Sequence, residues 1–178
     1  GNQGEKYPDE AKQALLAKDK FNAVKHTSES DTYLSSRGIE PKTYGEFPKI
    51  HGDSKQAIFC LYRKFQEQEN GKLLSTINYF YQNGESCKRF QKDLPRGLSI
   101  LKNEEAPVKR IVITESPVDA LSHRQIEMQS PDKLVQKRAE ATMYISTCGT
   151  LSKGIREEMQ VWLEKAKKQS QHIVLAFD

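Results

Sequence analysis

Two carboxylates stand at the end of a hydrophobic segment in the second half of the chain. Glu115 follows the β-branched run at 111–114, and Asp119 comes four residues later, one turn into the helix that "SPVDALSHRQ" predicts. Clustered carboxylates repel each other unless a cation holds them, and hard oxygen ligands select Mg²⁺ or Mn²⁺. The pair is therefore compatible with a divalent-metal site for phosphoryl transfer, which residues at the other strand ends would complete. The alternative is that one acid only caps the helix, whose positive end favours a negative charge.

Two later segments predict residues that would meet these acids. The segment "ATMYIST" predicts a strand followed by Cys148, Gly149 and Thr150, and "HIVLAFD" predicts a strand that ends in Asp178. Strands that alternate with helices indicate βαβ units and a parallel sheet, in which ligands bind beyond the carboxyl ends of the strands. Gly149 and Thr150 would then form a small turn that a phosphate can approach, and Asp178 would be a further metal ligand.

The elements that would position these residues fall into two parts, with a boundary near residue 105. Residues 1–105 predict a small α+β basic subdomain in which helices precede a β-hairpin, and residues 106–178 predict an α/β domain. The predicted helices cover 8–25, 28–39, a turn at 41–47, 116–129, part of 130–140 and 151–169. The predicted strands cover 57–64, 73–82, 97–102, 109–115, 141–147 and 172–178.

The spacing of apolar residues predicts which helix faces are buried. On the first helix the predicted inner face consists of Ala11, Leu15, Leu16 and Phe21. On the last helix it consists of Met159, Trp162 and Leu163. Each set recurs at a helical spacing, as an amphipathic helix requires.

The positive charge of the chain is concentrated before the first acid. The whole chain carries a net charge of +4, and the segment 86–110 alone holds seven basic residues against three acidic ones. The residues that we expect to bind a phosphate backbone are Lys88, Arg89, Lys92 and Arg96. A solvated, lysine-rich loop would have the same composition, so this alternative stays open. The neighbouring aromatic residues Tyr79, Phe80 and Tyr81 could stack on bases, although their place in an alternating strand favours core packing.

Several classes of protein are disfavoured by what the sequence lacks. No apolar run approaches the roughly 18 residues of a membrane span, and the first residues lack a signal peptide's pattern. The three cysteines are far apart and odd in number, which argues against a zinc ribbon or a disulfide framework and favours a reducing, cytoplasmic setting. No GxxxxGK[ST] motif indicates a P-loop, and no GxSxG motif surrounds Ser116.

The segments "IVITESPVDALS", "YISTCGT" and "HIVLAFD" together resemble the Toprim domain that bacterial primases, topoisomerases and some nucleases share. The resemblance implies that Glu115 is the acid that ends its first motif and that Asp119 is the aspartate that follows in primases. Gly149 would be the glycine after the second strand, and Asp178 would begin its Asp-x-Asp motif. More weakly, "YLSSRGIEPKTYGEF" resembles the primase stretch that leads into the basic subdomain. The sequence of the first motif is most similar to that of primase-like Toprim proteins of plasmids and mobile elements, which are often associated with relaxases.

This resemblance implies a fold, an activity and partners. The fold would be a Toprim-like Rossmannoid parallel sheet, and the cofactor would be Mg²⁺ or Mn²⁺. The activity would be primase-like nucleotidyl or phosphoryl transfer, with Glu115 as the general acid/base or metal-linked carboxylate. The partners would be single-stranded or duplex DNA, nucleotides, and relaxase or replication proteins. A Toprim nuclease, a topoisomerase-type module and a non-catalytic nucleic-acid-binding domain remain alternatives. Because the sequence stops at Asp178, we expect a fragment of a longer protein that is inactive by itself.

Overall fold

The computed structural model describes residues 7–26, 32–45, 47–63, 71–149 and 151–177. The helices are α1 (Glu10–Ala23), α2 (Tyr33–Ser36), α3 (Pro41–Tyr44), α4 (Pro117–Met128), α5 (Lys133–Glu140) and α6 (Lys153–Lys168). The strands are β1 (Ile50–Gly52), β2 (Gln56–Arg63), β3 (Lys72–Gln82), β4 (Glu85–Phe90), β5 (Leu98–Leu101), β6 (Arg110–Thr114), β7 (Thr142–Ser146) and β8 (His172–Leu175). The chain is therefore an α/β protein.

Within the described residues, eight strands form one mixed sheet. Its order is β4-β3-β2-β5-β7-β6-β8, and β1 pairs with β2 outside this path. Strand β6 runs parallel to both β7 and β8, which confirms the predicted parallel arrangement of the second half. Strands β2 and β3 form the predicted antiparallel hairpin. Strand β5 pairs antiparallel with β7, so strands from both sides of the predicted boundary near residue 105 belong to the same sheet.

Side chains that alternate along the strands build a hydrophobic core on each face of the sheet. On the first face, Val112 and Tyr144 pack with Leu121 of α4 and with residues of α2 and α3. On the second face, Ile111 and Ile145 pack with helices α1 and α6. The predicted inner position of Trp162 is confirmed, because its side chain is buried in this second core. Helices therefore cover both faces, and the loops after β6 and β7 lie at one edge.

The prediction for the buried face of α1 is wrong for its leucines. Leu15 and Leu16 are exposed, as is Ala11, whereas the buried residues of this helix are Gln13, Ala17 and Phe21. The Gln13 side chain can be buried because its amide donates a hydrogen bond to the Pro8 carbonyl. Phe21 is buried as predicted, and its ring stacks on His51 with the centroids 3.8 Å apart.

Strand β4 is an element that the sequence interpretation missed. Its residues 85–90 were assigned only to a basic segment, but they pair with β3 along their whole length. The turn between the two strands contains Asn83 and Gly84, both with positive φ. An Asn-Gly pair between two strands is the strongest short hairpin signal, and it was available in the sequence.

A charged cluster ties α4 and α5 to the beginning of the parallel sheet. The Arg110 guanidinium donates two hydrogen bonds to the Glu127 carboxylate, one of them at 3.0 Å, and a third to Thr142 Oγ1 at 2.9 Å. Burial alone would raise the pKa of Glu127, but the hydrogen bonds and charge of Arg110 outweigh it, and His123 and Arg138 add to their effect. The pKa of Glu127 is therefore held below its ordinary value.

No helix among the described residues is long and apolar enough to cross a membrane.

We predict that Glu127→Gln lowers the free energy of unfolding by about 3 kcal/mol near neutral pH, because it leaves the buried Arg110 charge without a counterion. The lowered pKa means that Glu127 stabilises the fold above its ordinary pKa of 4.5, and that this contribution is lost as the pH falls through the lower folded-state value. The variant and the parent chain should therefore converge in stability in acid. Urea unfolding at several pH values measures this, with Glu140→Gln, an exposed acid on α5, as the control. Equal losses for both variants would contradict the prediction.

Candidate functional site

The loops after β6 and β7 are joined at the carboxyl edge of the parallel strands. The Thr114 and Ser146 hydroxyls, which end the two strands, lie 2.7 Å apart and share a hydrogen bond. Beyond them, the Gly149 amide donates to the Glu115 carbonyl at 3.2 Å. The structure therefore brings Glu115 and Gly149 together, as the sequence predicted.

The two predicted acids stand on either side of the N-terminus of α4. Its side-chain cap is Ser116, whose hydroxyl accepts the Asp119 amide at 3.0 Å. The side-chain cap is therefore not Glu115, and the alternative that an acid only favours the positive end of the helix stays open for Asp119. Asp119 lies in the first turn, where a carboxylate favours the positive end of the helix. Both acidic residues are exposed to solvent and accessible to a ligand.

Lys88 belongs to β4, the edge strand at one end of the sheet, and its side chain extends to the loops after β6 and β7. Its ammonium group donates to the Cys148 carbonyl at 2.9 Å. It lies so close over Gly149 that a Cβ on the glycine would overlap Lys88 Nζ, and this Cβ would be 3.8 Å from Glu115 Oε1. Gly149 also has a φ of +80°, which other residues adopt only with strain. The glycine therefore permits both the turn and the approach of the lysine, and the cation stands beside a carboxylate.

Glu115, Gly149 and Lys88 form a corner of the sheet edge, and the side chains beneath this corner are buried and neutral. Cys148 and Tyr79 are both buried, and for Tyr79 this is the core packing that its place in the strand predicted. Burial raises the pKa of Cys148 to about 12 and raises the pKa of Tyr79 beyond the usual range of a tyrosine. The charge of Asp119 also raises the pKa of Tyr79, which indicates that Asp119 faces the same corner. Neither buried group ionises near neutral pH, so the charges of the corner belong to Lys88 and the two acids.

The part of the chain that the structure describes supplies two of the three predicted metal ligands. Within it, no group of three or more His, Cys, Asp or Glu side chains could hold a metal ion. Asp178 and Thr150, which were predicted at this edge, lie outside the described residues. Two carboxylates still fit Mg²⁺ or Mn²⁺ in donor type, because Mg²⁺ is usually held by one or two carboxylates together with water and phosphate oxygens.

The four predicted phosphate-binding cations do not share one surface. Lys88 and Arg96 lie against the Phe90 ring, with Lys88 Nζ 5.9 Å and the Arg96 guanidinium carbon 4.1 Å from its centroid. Arg89 points to the opposite face of the strand, where its guanidinium carbon lies 4.9 Å from the Phe80 centroid. Lys92 lines a cavity on that second face. Adjacent residues of a strand point to opposite faces, which the interpretation as a basic segment did not take into account.

No family model, curated protein or solved structure was found to match this chain. The geometry of the site and the sequence motifs are therefore the evidence for the function of the chain.

We predict that Gly149→Ala displaces the Lys88 ammonium group, because the new methyl group would overlap it. The matched control is Gly84→Ala: Gly84 has a similar positive φ of +78°, but a Cβ there would meet nothing within 4 Å. Both variants should lose about 1 kcal/mol or more of stability through backbone strain. Only Gly149→Ala should change the reactivity of Lys88 towards an amine-acylating reagent, measured by mass spectrometry. The same Lys88 reactivity in both variants would contradict the close approach.

Proposed function

We propose that this chain is a Toprim-like, primase-type module that binds the phosphates of nucleotides and DNA at the carboxyl edge of its parallel strands. The observation that carries the proposal is the position of Lys88, whose ammonium group lies beside Gly149 and the Glu115 carboxylate. A cation for a phosphate and a carboxylate for a metal or a proton are thus present within one corner, next to a turn without a side chain. Nucleotidyl transfer requires this combination.

Each residue has a distinct task in this proposal. Lys88 neutralises a phosphate oxygen, and the absence of a Cβ at Gly149 lets the phosphate approach the backbone. Glu115 is exposed at the end of β6 and accepts a proton from the attacking hydroxyl, or holds the metal. Asp119 and Asp178 are the other proposed ligands of Mg²⁺ or Mn²⁺. The bound ion would neutralise the charge that develops on the phosphate oxygens.

The charge of the chain and its sequence motifs both bear on the substrate class. The excess of basic residues before β6 favours a polyanion over a small phosphate ester. The motifs around Glu115 and Gly149 resemble those of primase-like Toprim proteins of plasmids and mobile elements. This resemblance supports a role in replication or mobilisation, in the cytoplasm, with relaxase or replication proteins as partners. The competing functions are a Toprim-type nuclease or topoisomerase module and a binding domain without catalysis.

In the intact protein, we predict that Glu115→Gln lowers Mg²⁺-dependent nucleotide incorporation on a single-stranded template by about 10²- to 10⁴-fold, as expected for loss of a general acid/base. It should also abolish the increase in nucleoside triphosphate affinity that Mg²⁺ produces in calorimetry. Lys88→Gln should weaken triphosphate binding with or without the metal, because it removes a phosphate contact. The control is Glu105→Gln, which changes an exposed acid before β6.

These measurements also separate the competing functions. Metal-dependent nicking of plasmid DNA without incorporation would favour a nuclease. Triphosphate binding that depends on Lys88 but is indifferent to Mg²⁺ and to Glu115→Gln would favour a binding module. Incorporation that is undiminished in Glu115→Gln would eliminate the catalytic assignment.

A further inference from the structure

We propose that the second face of the sheet carries a separate binding site for single-stranded nucleic acid. An open cavity of about 720 Å³ lies between α1 and strands β2, β3 and β4, within the size range of about 300–1,000 Å³ that is typical of ligand sites. The lining includes Lys20, Lys55, Gln56, Phe80, Arg89 and Lys92. This second site is separate from the site around Glu115, Gly149 and Lys88 (the edge site). The two sites share only the class of ligand.

The register of the three strands places these side chains on one surface. Phe80 of β3 is paired with Gln56 of β2, and Asn78 of β3 is paired with Arg89 of β4. Residues 78 and 80 are two apart, so they point to the same face of the sheet. The Asn78 amide donates a hydrogen bond to Gln56 Oε1, which links the two strands across the floor of the cavity. The floor is therefore an aromatic ring flanked by amides and a guanidinium group.

The charge of the cavity is of one sign. Lysines 20, 55 and 92 and Arg89 contribute four positive charges, and no acidic residue is among the described residues that line it. All four are exposed, and no carboxylate of the described residues forms an ion pair with them. Elsewhere in the described structure, Lys72 and Arg110 do have carboxylate partners. A cluster of cations inside a concave surface attracts a polyanion such as the phosphate backbone of a nucleic acid.

The aromatic ring distinguishes a single strand from a duplex. Phe80 is only half-buried in the cavity, whereas the ring of its neighbour Tyr81 packs against Tyr33 on the first face, with the centroids 5.1 Å apart. The sequence had favoured core packing for both residues, but of the three aromatics only Tyr79 is fully in the core. Stacking on such rings needs an accessible base face, which a single strand offers and a duplex does not. The Gln56 and Asn78 amides can meet the edges of a stacked base.

Lys88 and Arg89 show that this cavity is distinct from the edge site. They are adjacent in β4, but Lys88 reaches Cys148 on the first face and Arg89 lies over Phe80 on the second face. A strand bound in the cavity would contact Arg89 without contacting Lys88. The pair therefore provides a matched test, because both substitutions to Gln remove one positive charge from neighbouring positions.

The test is the binding of a short, fluorescein-labelled oligothymidylate to the chain without divalent metal, measured by fluorescence anisotropy over a range of salt concentrations. We expect Arg89→Gln and Lys55→Gln each to weaken binding and to lower the salt-dependence slope by about 0.7, the value for one phosphate contact with a single strand. Phe80→Leu should weaken binding about tenfold at every salt concentration, because it removes a stacking surface and leaves the charge unchanged. The distant, exposed Lys153→Gln should have no more than a small effect on both quantities, and any loss of binding in Lys88→Gln should be smaller than the loss in Arg89→Gln.

A photocrosslink locates the bound strand without relying on variants. With an iodouracil-substituted oligonucleotide, the adduct should lie in the peptide that contains Phe80 and Tyr81. Binding that is lost in Lys88→Gln but retained in Arg89→Gln, or an adduct confined to the loops after β6 and β7, would overturn the second site and leave the edge site standing. Binding that depends on Arg89 and Phe80 would support the cavity even if Glu115→Gln left nucleotide incorporation undiminished and so eliminated the catalytic assignment. Equal binding of a labelled duplex would overturn the preference for a single strand.

Discussion

The alternation of side chains along the strands is the constraint on which the rest of this structure depends. Because neighbouring residues in a strand point to opposite faces, one continuous sheet buries two separate hydrophobic cores, one under α4 and one under α1 and α6. The same alternation sends Lys88 to one face and Arg89 to the other. A compact basic segment of the sequence thus becomes two surfaces with different surroundings. One of these surfaces includes a carboxylate, and the other combines cations, an aromatic ring and amides.

The edge site combines a fixed backbone with exposed charges. The hydroxyl pair of Thr114 and Ser146 joins the ends of β6 and β7, and the Gly149 amide is hydrogen-bonded to the carbonyl of Glu115. The loops are therefore held in place by backbone and hydroxyl groups. The Glu115 carboxylate takes no part in these bonds and remains exposed. A site built in this way can present a carboxylate and an ammonium group to a ligand without a large rearrangement of the fold, which is the advantage of preorganisation.

The fold was predictable from the sequence where local patterns and tertiary packing agree. The β-branched runs of β6, β7 and β8 are flanked by helical segments, and they form the expected parallel strands. The hairpin of β2 and β3 was likewise evident from its aromatic and β-branched residues. The prediction was wrong for the inner face of α1, where a hydrogen bond allows Gln13 to be buried and the leucines are exposed. Strand β4 was missed because its polar composition hid a hairpin that its Asn-Gly turn indicates.

The sequence by itself determined that Glu115 and Gly149 would meet, because the carboxyl ends of neighbouring parallel strands lie at one edge whatever the remainder of the chain does. It also determined that the chain would be an α/β protein with a concentration of positive charge before β6. Only the tertiary structure decided that Lys88 belongs to this edge. In the sequence, 60 positions separate Lys88 from Cys148, whose carbonyl it contacts, and only the order of the strands brings the two residues together. The division of the basic residues between two faces was decided in the same way. It depends on the register of β4 against β3, which is a property of paired strands and not of either segment alone.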